Sequence, residues 1–125
     1  MSKCLFCSNE VIDNAIMHNQ FAYVVYDKYP QTKGHLLIIP RDHSENFFET
    51  DLQTRFGITQ LLDDAKEYLD ETYSPDGYNI VANCGKVAGQ VIFHTHLHLI
   101  PRYESDARAG KDLNGGHGWT DHKVG

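Results

Sequence analysis

The run Val91-Ile92-Phe93-His94-Thr95-His96-Leu97-His98-Leu99-Ile100, closed by Pro101, decides how the rest of the chain is read. β-Branched, aromatic and leucine residues alternate with three histidines, which predicts a strand over 91–100. Side chains along a strand leave alternate faces, so His94, His96 and His98 are expected on one face while Leu97 and Leu99 enter a core. At about 3.3 Å per residue the outer two imidazoles would stand about 13 Å apart. Three close imidazoles cannot all be protonated cheaply, because like charges lower one another's pKa, so at least one stays neutral at pH 7. Such a row suits metal ligation. It equally suits phosphate chemistry, in which one ring attacks phosphorus and its neighbours donate to the oxygens. A solvated strand face that is merely rich in histidine is the plain alternative.

Outward from that strand, Phe21–Tyr26 (FAYVVY) and His35–Ile39 (HLLII) predict two more, joined through Asp27–Gly34 and stopped by Pro40. Tyr78–Ala82 predicts a fourth, linked to the histidine strand by the glycine-containing loop Asn83–Gln90. One helix is convincing. It begins near Thr50, where Thr50 and Gln53 read as a capping box and Asp51 adds favourable charge. Leu52, Phe56, Leu62, Ala65 and Leu69 form its expected apolar stripe, widened by Leu61 and Tyr68, and Ser74-Pro75-Asp76-Gly77 ends it. Strands without βαβ alternation and one long helix predict an α+β fold with a mainly antiparallel sheet.

The chain of 125 residues is expected to be one domain, large enough to bury roughly two thirds of its unfolded surface. A 41% apolar and 22% charged composition excludes overall disorder. A net charge of −6 without a basic block argues against nucleic acid and membrane surfaces as partners. No stretch reads as a spanning helix or a signal peptide, and three cysteines make an odd count, so a reducing cytoplasmic location is expected. The segment from Glu104 is expected to be a loosely structured tail.

The run Gly89-Gln90-Val91-Ile92-Phe93-His94-Thr95-His96-Leu97-His98-Leu99-Ile100-Pro101-Arg102 resembles the signature of the histidine-triad (HIT) superfamily, with Thr95 a mild departure. Asp27 with Gly34-His35-Leu36-Leu37-Ile38-Ile39-Pro40-Arg41, and Asn83 seven residues before Gln90, resemble two further family blocks in the same order. The resemblance covers residues 4–103. It implies a sheet of about five strands per chain, with two sheets joined in a homodimer.

The resemblance also implies an activity. His96 would attack the α-phosphorus of an adenosine-type nucleotide, forming a nucleotidyl-histidine that water then hydrolyses. His98 and His35 would donate to the phosphate oxygens, and the Gly89 carbonyl would hold the other ring proton of His96. Asn83 and Gln90 would bind the phosphate, Asp27 the ribose hydroxyls, and Phe6, Tyr26 and Leu37 the base. Two enzyme branches fit, a nucleoside phosphoramidase and a dinucleoside polyphosphate hydrolase. A nucleotide-binding or regulatory module with little turnover is the reading from another class. Many family members carry Ser or Thr directly after the Gly-Gln pair; Val91 stands there and offers no donor.

Cys4 and Cys7 alone read equally as small buried residues, a redox pair or metal ligands. The resemblance to bacterial members that open Cys-x-Phe-Cys implies a structural zinc on Cys4, Cys7, His43 and His94, with none required for the chemistry. Cys84 reads as a loop thiol, and His18, His117 and His122 lie outside every motif.

Overall fold

A computed structural model describes residues 4–106. The expected tail beyond them, with His117 and His122, lies outside the described residues, whereas His18 is exposed. The strands are β1 (Met17–His18), β2 (Ala22–Tyr26), β3 (Leu36–Pro40), β4 (Gly77–Val81) and β5 (Leu97–Arg102), with helices α1 (Asn9–Ile12) and α2 (Leu52–Tyr73). They form one antiparallel sheet in the order β1-β2-β3-β5-β4.

Strand alternation sorts the sheet into two faces. Ala22, Val24, Leu36, Ile38, Leu97 and Leu99 pack on Ile58, Leu61, Ala65 and Leu69 of α2. Tyr23, Val25, Leu37 and Ile39 point the other way and are covered by Phe6 from the N-terminal segment. In β2–β3 the register sets Val25 opposite Leu37 and Tyr26 opposite Leu36. Tyr26 therefore points to the helix face, where its hydroxyl meets those of Tyr68 and Tyr73. It is not on the face of Phe6 and Leu37, which corrects its expected place in a common base slot.

Four local expectations are corrected. Asp51, not Thr50, caps α2, accepting from Thr54 N at 2.8 Å, while the Thr50 hydroxyl turns back to the Phe47 carbonyl at 2.6 Å. The buried stripe of α2 is Thr54, Gly57, Ile58, Leu61, Ala65 and Leu69, one face in which Gly57 and Ile58 lie three and four residues after Thr54 and the rest follow at three or four. Leu52 and Phe56 lie outside it, 79% and 71% exposed.

The strand expected over 91–100 begins only at Leu97. Thr95 N donates instead to the Ser44 carbonyl at 2.8 Å, and the two hydroxyls meet at 2.7 Å, so residues ahead of Leu97 are pinned to a loop and not to a ladder. At the other end β5 continues through Pro101. The Pro101 carbonyl accepts from the Thr32 hydroxyl at 2.6 Å. In an antiparallel strand the nitrogen points the same way as the carbonyl, away from β4, so the missing N–H costs no bond to that strand.

Gly57 marks a close approach. A Cβ built there would stand 2.7 Å from the Phe21 Cβ. We expect Gly57→Ala to lower stability by about 1–3 kcal/mol, although alanine ordinarily favours a helix interior by about 1 kcal/mol. The urea unfolding midpoint measures this; an unchanged or raised midpoint would contradict the packing.

Candidate active site and metal centre

The face opposite α2 carries the histidines. Backbone groups fix the state of three rings, because a carbonyl only accepts and an amide N–H only donates. His94 Nε2 lies 2.8 Å from the Pro40 carbonyl, so it carries the proton and leaves a lone pair on Nδ1. His96 Nδ1 lies 2.8 Å from the His94 carbonyl, so its lone pair is on Nε2, which has no protein partner among the described residues. His35 Nδ1 accepts from Gln31 N at 3.0 Å, which puts the proton of the neutral ring on Nε2. The carbonyl holding His96 is thus that of His94, which corrects the expectation of Gly89. Gly89 instead takes φ +99° at the end of a short 3-10 turn over Lys86–Ala88, a backbone state that suits glycine.

Burial keeps these rings neutral. It holds His35, His94 and His96 below the ordinary histidine value. His98 is pushed down to about 4 by burial first and then by the neighbouring His96 and His35 rings, with Asp27 opposing. His96 sits between Phe6 and His98, ring centroids 5.1 and 5.3 Å away, both edge-on. A neutral imidazole with a free Nε2 in an apolar setting is a nucleophile without a general base.

His35 Nε2 approaches His98 Nδ1 at 2.9 Å and Asp27 Oδ2 at 3.3 Å. The other carboxylate oxygen of Asp27 accepts from Tyr29 N at 2.9 Å, shaping the turn after β2. With 1% of its surface exposed and both nitrogens engaged, His35 does not face a substrate, contrary to its expected role as a phosphate donor. Gln90 is buried, and its amide is committed to backbone: it donates to the Glu45 and Ile92 carbonyls at 2.5 and 3.0 Å and accepts from Gly85 N at 2.8 Å. It holds the 85–90 loop in shape, and the Asn83 amide lies against Gly89 in the same loop. Phe6 and Leu37 are buried in the apolar layer beneath the rings.

Two contributors escape sequence reading: the Gln31 N–H and the Pro40 carbonyl act through backbone, which every residue type carries. Arg102, which closes the family-like run, carries no role in the sequence pattern. Buried beside the turn, it donates to Asn79 Oδ1, Asp106 Oδ2 and Gln31 Oε1 at 2.8–3.0 Å, tying the segment that carries Gln31 to β4 and β5.

At the other end of the row, Cys4, Cys7, His43 and His94 converge. His94 Nδ1 lies 3.1 Å from Cys4 Sγ and 3.4 Å from Cys7 Sγ, and His43 Nδ1 lies 3.6 Å from Cys7 Sγ. Zinc with sulfur at about 2.3 Å and nitrogen at about 2.0 Å would need tetrahedral edges of about 3.5 Å. The second nitrogen of His94 is held by a backbone carbonyl, the usual support for a ligating imidazole. Partial burial and then the adjacent Cys4 push the Cys7 thiol up to about 11. These four residues could hold a metal ion.

A two-faced sheet thus carries a helix on one side and a row of histidines on the other, one end of which could hold a metal ion. Comparison with known proteins narrows the class. The HIT domain family matches residues 8–105. An uncharacterized HIT-like protein of Mycoplasma genitalium is 35% identical over 116 residues, covering 90% of this chain and 82% of that one. The adenosine 5'-monophosphoramidase HNT1 of Saccharomyces cerevisiae is 33% identical, covering 79% of this chain and 62% of that one. A zinc-bound histidine triad family protein of Mycobacterium smegmatis superposes with a TM-score of 0.75 at 32% identity, covering 84% of this chain and 78% of that one. The chain belongs to the HIT family.

Between pH 6.5, the ordinary histidine value, and about 4, the unfolded chain binds a proton at His98 that the folded chain refuses. Stability therefore falls as pH drops through that window and flattens below it with respect to this group. Urea midpoints from pH 7 to pH 4.5 should decline, and His98→Gln should make the decline shallower. An equal slope in the variant would contradict a neutral, buried His98.

Proposed function

We propose that the protein transfers an adenylyl-type group from a nucleotide to His96 and then to water. One observation carries the reading: the His94 carbonyl takes the Nδ1 proton of His96 and leaves Nε2 free to attack. In the first step the Nε2 lone pair forms a bond to the α-phosphorus. The bond from phosphorus to the leaving group breaks, and its electron pair departs with that group, which takes up a proton. In the second, water attacks the same phosphorus and gives up a proton to solvent, the P–N bond breaks with its electron pair returning to Nε2, and neutral His96 and the nucleoside monophosphate are released. Splitting one displacement in two lowers each barrier. His98 would donate to a non-bridging oxygen as charge builds. Asp27 would meet the ribose hydroxyls, the 83–90 loop with Asn83, Gly89 and Gln90 would surround the phosphate, and Phe6 and Leu37 would floor the base slot.

The proposed substrate is a nucleotide with an amine or a second nucleotide on its α-phosphate; the yeast relative named as an adenosine 5'-monophosphoramidase supports the amine. Val91 is 81% exposed and offers no hydrogen bond to the leaving group, which favours leaving groups that acquire their proton from solvent. A homodimer fits an edge strand, β4, with Ile80 60% exposed on it. No helix among the described residues is long and apolar enough to cross a membrane, and a cytoplasmic location agrees with free thiols.

AMP release should be measured from adenosine phosphoramidate and from a diadenosine polyphosphate. His96→Ala should lower the rate by about a thousandfold or more. Near wild-type turnover in that variant would refute the nucleophile. Tight AMP binding by the wild type, without turnover of either compound, would favour a binding module instead.

The Cys4, Cys7, His43 and His94 group is proposed to hold one structural zinc per chain, anchoring the N-terminal segment and leaving His96 and His98 free. Metal analysis should find one zinc in the wild type and none in Cys4→Ser/Cys7→Ser. Zinc retained by the double variant would exclude this ligand set.

A further inference from the structure

The ligand atoms of Asp27, His35 and His98 lie within 4.8 Å of one another, a spacing at which a cation could sit. The protons argue otherwise. Gln31 N donates to His35 Nδ1, so a metal on Nε2 would require the ring to lose its last proton. Ligating histidines ordinarily donate from the second nitrogen, and here that nitrogen accepts. The group is held by a hydrogen atom.

We infer that His35 is a positioning residue that fixes the tautomer of His98. Its Nε2–H donates to His98 Nδ1 at 2.9 Å. His98 must then carry its own proton on Nε2, on the far side of the ring, where no protein group meets it among the described residues. The side chain of His98 is 20% exposed and that of His35 1%. One ring thus faces the cleft as an obligate donor, and the other is spent entirely on making it one. Asp27 Oδ2, at 3.3 Å from His35 Nε2 and 3.7 Å from His98 Nδ1, shares that hydrogen atom and favours keeping it between the rings. The low proton affinity of His35 and His98 agrees, since a tautomer is defined only for a neutral ring. The order of command runs from a backbone amide, through a buried ring, to the group that meets substrate.

The kinetic consequence rests on the α-phosphate reading above; the tautomer does not. Nitrogen-15 NMR of the histidine rings in the full-length wild type should show His35 and His98 both protonated on Nε2. In His35→Leu, His98 should lose that single state, and kcat for adenosine phosphoramidate should fall about ten- to a hundredfold, the scale of a lost transition-state donor, with KM changed less than about threefold. His35→Gln sets an amide N–H near the position of the imidazole Nε2 and should restore both the His98 signal and most of kcat. A wild-type spectrum with the His98 proton on Nδ1 overturns the inference, as does a folded His35→Leu that keeps the Nε2–H form and full kcat. If His35→Leu does not fold, the wild-type spectrum and His35→Gln decide. If the wild type turns over no substrate, the functional reading fails and the ring spectra still decide the tautomer.

Discussion

Everything at this site depends on hydrogen bonds that can run in only one direction. An imidazole is ambiguous, able to give or take at either nitrogen, and four of them in contact could settle into many patterns. Two backbone carbonyls and one backbone amide remove the ambiguity: Pro40 receives from His94, His94 from His96, and Gln31 gives to His35. Each decision then propagates. His94 turns a lone pair toward two sulfurs, His96 turns one toward open space, and His35 passes a proton outward to His98.

The fold supplies what these bonds need. Burial against the apolar layer of Phe6, Tyr23, Val25, Leu37 and Ile39 keeps the rings neutral, and only neutral rings have a tautomer to set. α2 closes the other side of the sheet and leaves the site face to the histidines. Arg102 clamps the turn that presents Gln31, so the amide that commands His35 belongs to a segment tied to two strands. The break in β5 before Leu97 is equally part of the device. In a regular strand His94 could not turn its carbonyl to the ring two residues on, because that carbonyl would lie in the plane of the sheet.

Much of this was legible in the sequence, and the failures share a cause. Three blocks of histidine, aspartate, glycine and glutamine in order were enough for the family, and the resemblance of the Cys-x-Phe-Cys opening to bacterial members implied the meeting of Cys4, Cys7, His43 and His94; both rest on choices of side chain. The antiparallel α+β sheet was legible from β-branched runs and turn residues. What escaped was carried by backbone or by small residues. The stripe of α2 runs through Thr54 and Gly57, where a search for leucine and phenylalanine selects Leu52 and Phe56 on the outer side. The irregular backbone at residues 91–96 depends on Ser44, distant in sequence, and period-two alternation has no means of registering it. Tyr26 was placed by the family resemblance, and strand parity sends it to the other face.

The rings are governed by main-chain atoms, so the site has a blind spot for side-chain mutagenesis. Replacing Pro40 with alanine leaves the governing carbonyl in place, and replacing Gln31 with alanine leaves the governing amide while removing the Oε1 that Arg102 holds; a survey of that kind would miss the first position and credit the second to its side chain. The exception is imino acid. Proline stands at position 30, one step from the amide that matters, and proline at 31 would delete the only atom through which that residue instructs His35. A main-chain atom that matters at position 40 whatever the side chain, and a proline forbidden at position 31, are the signature this architecture would leave in a library of variants.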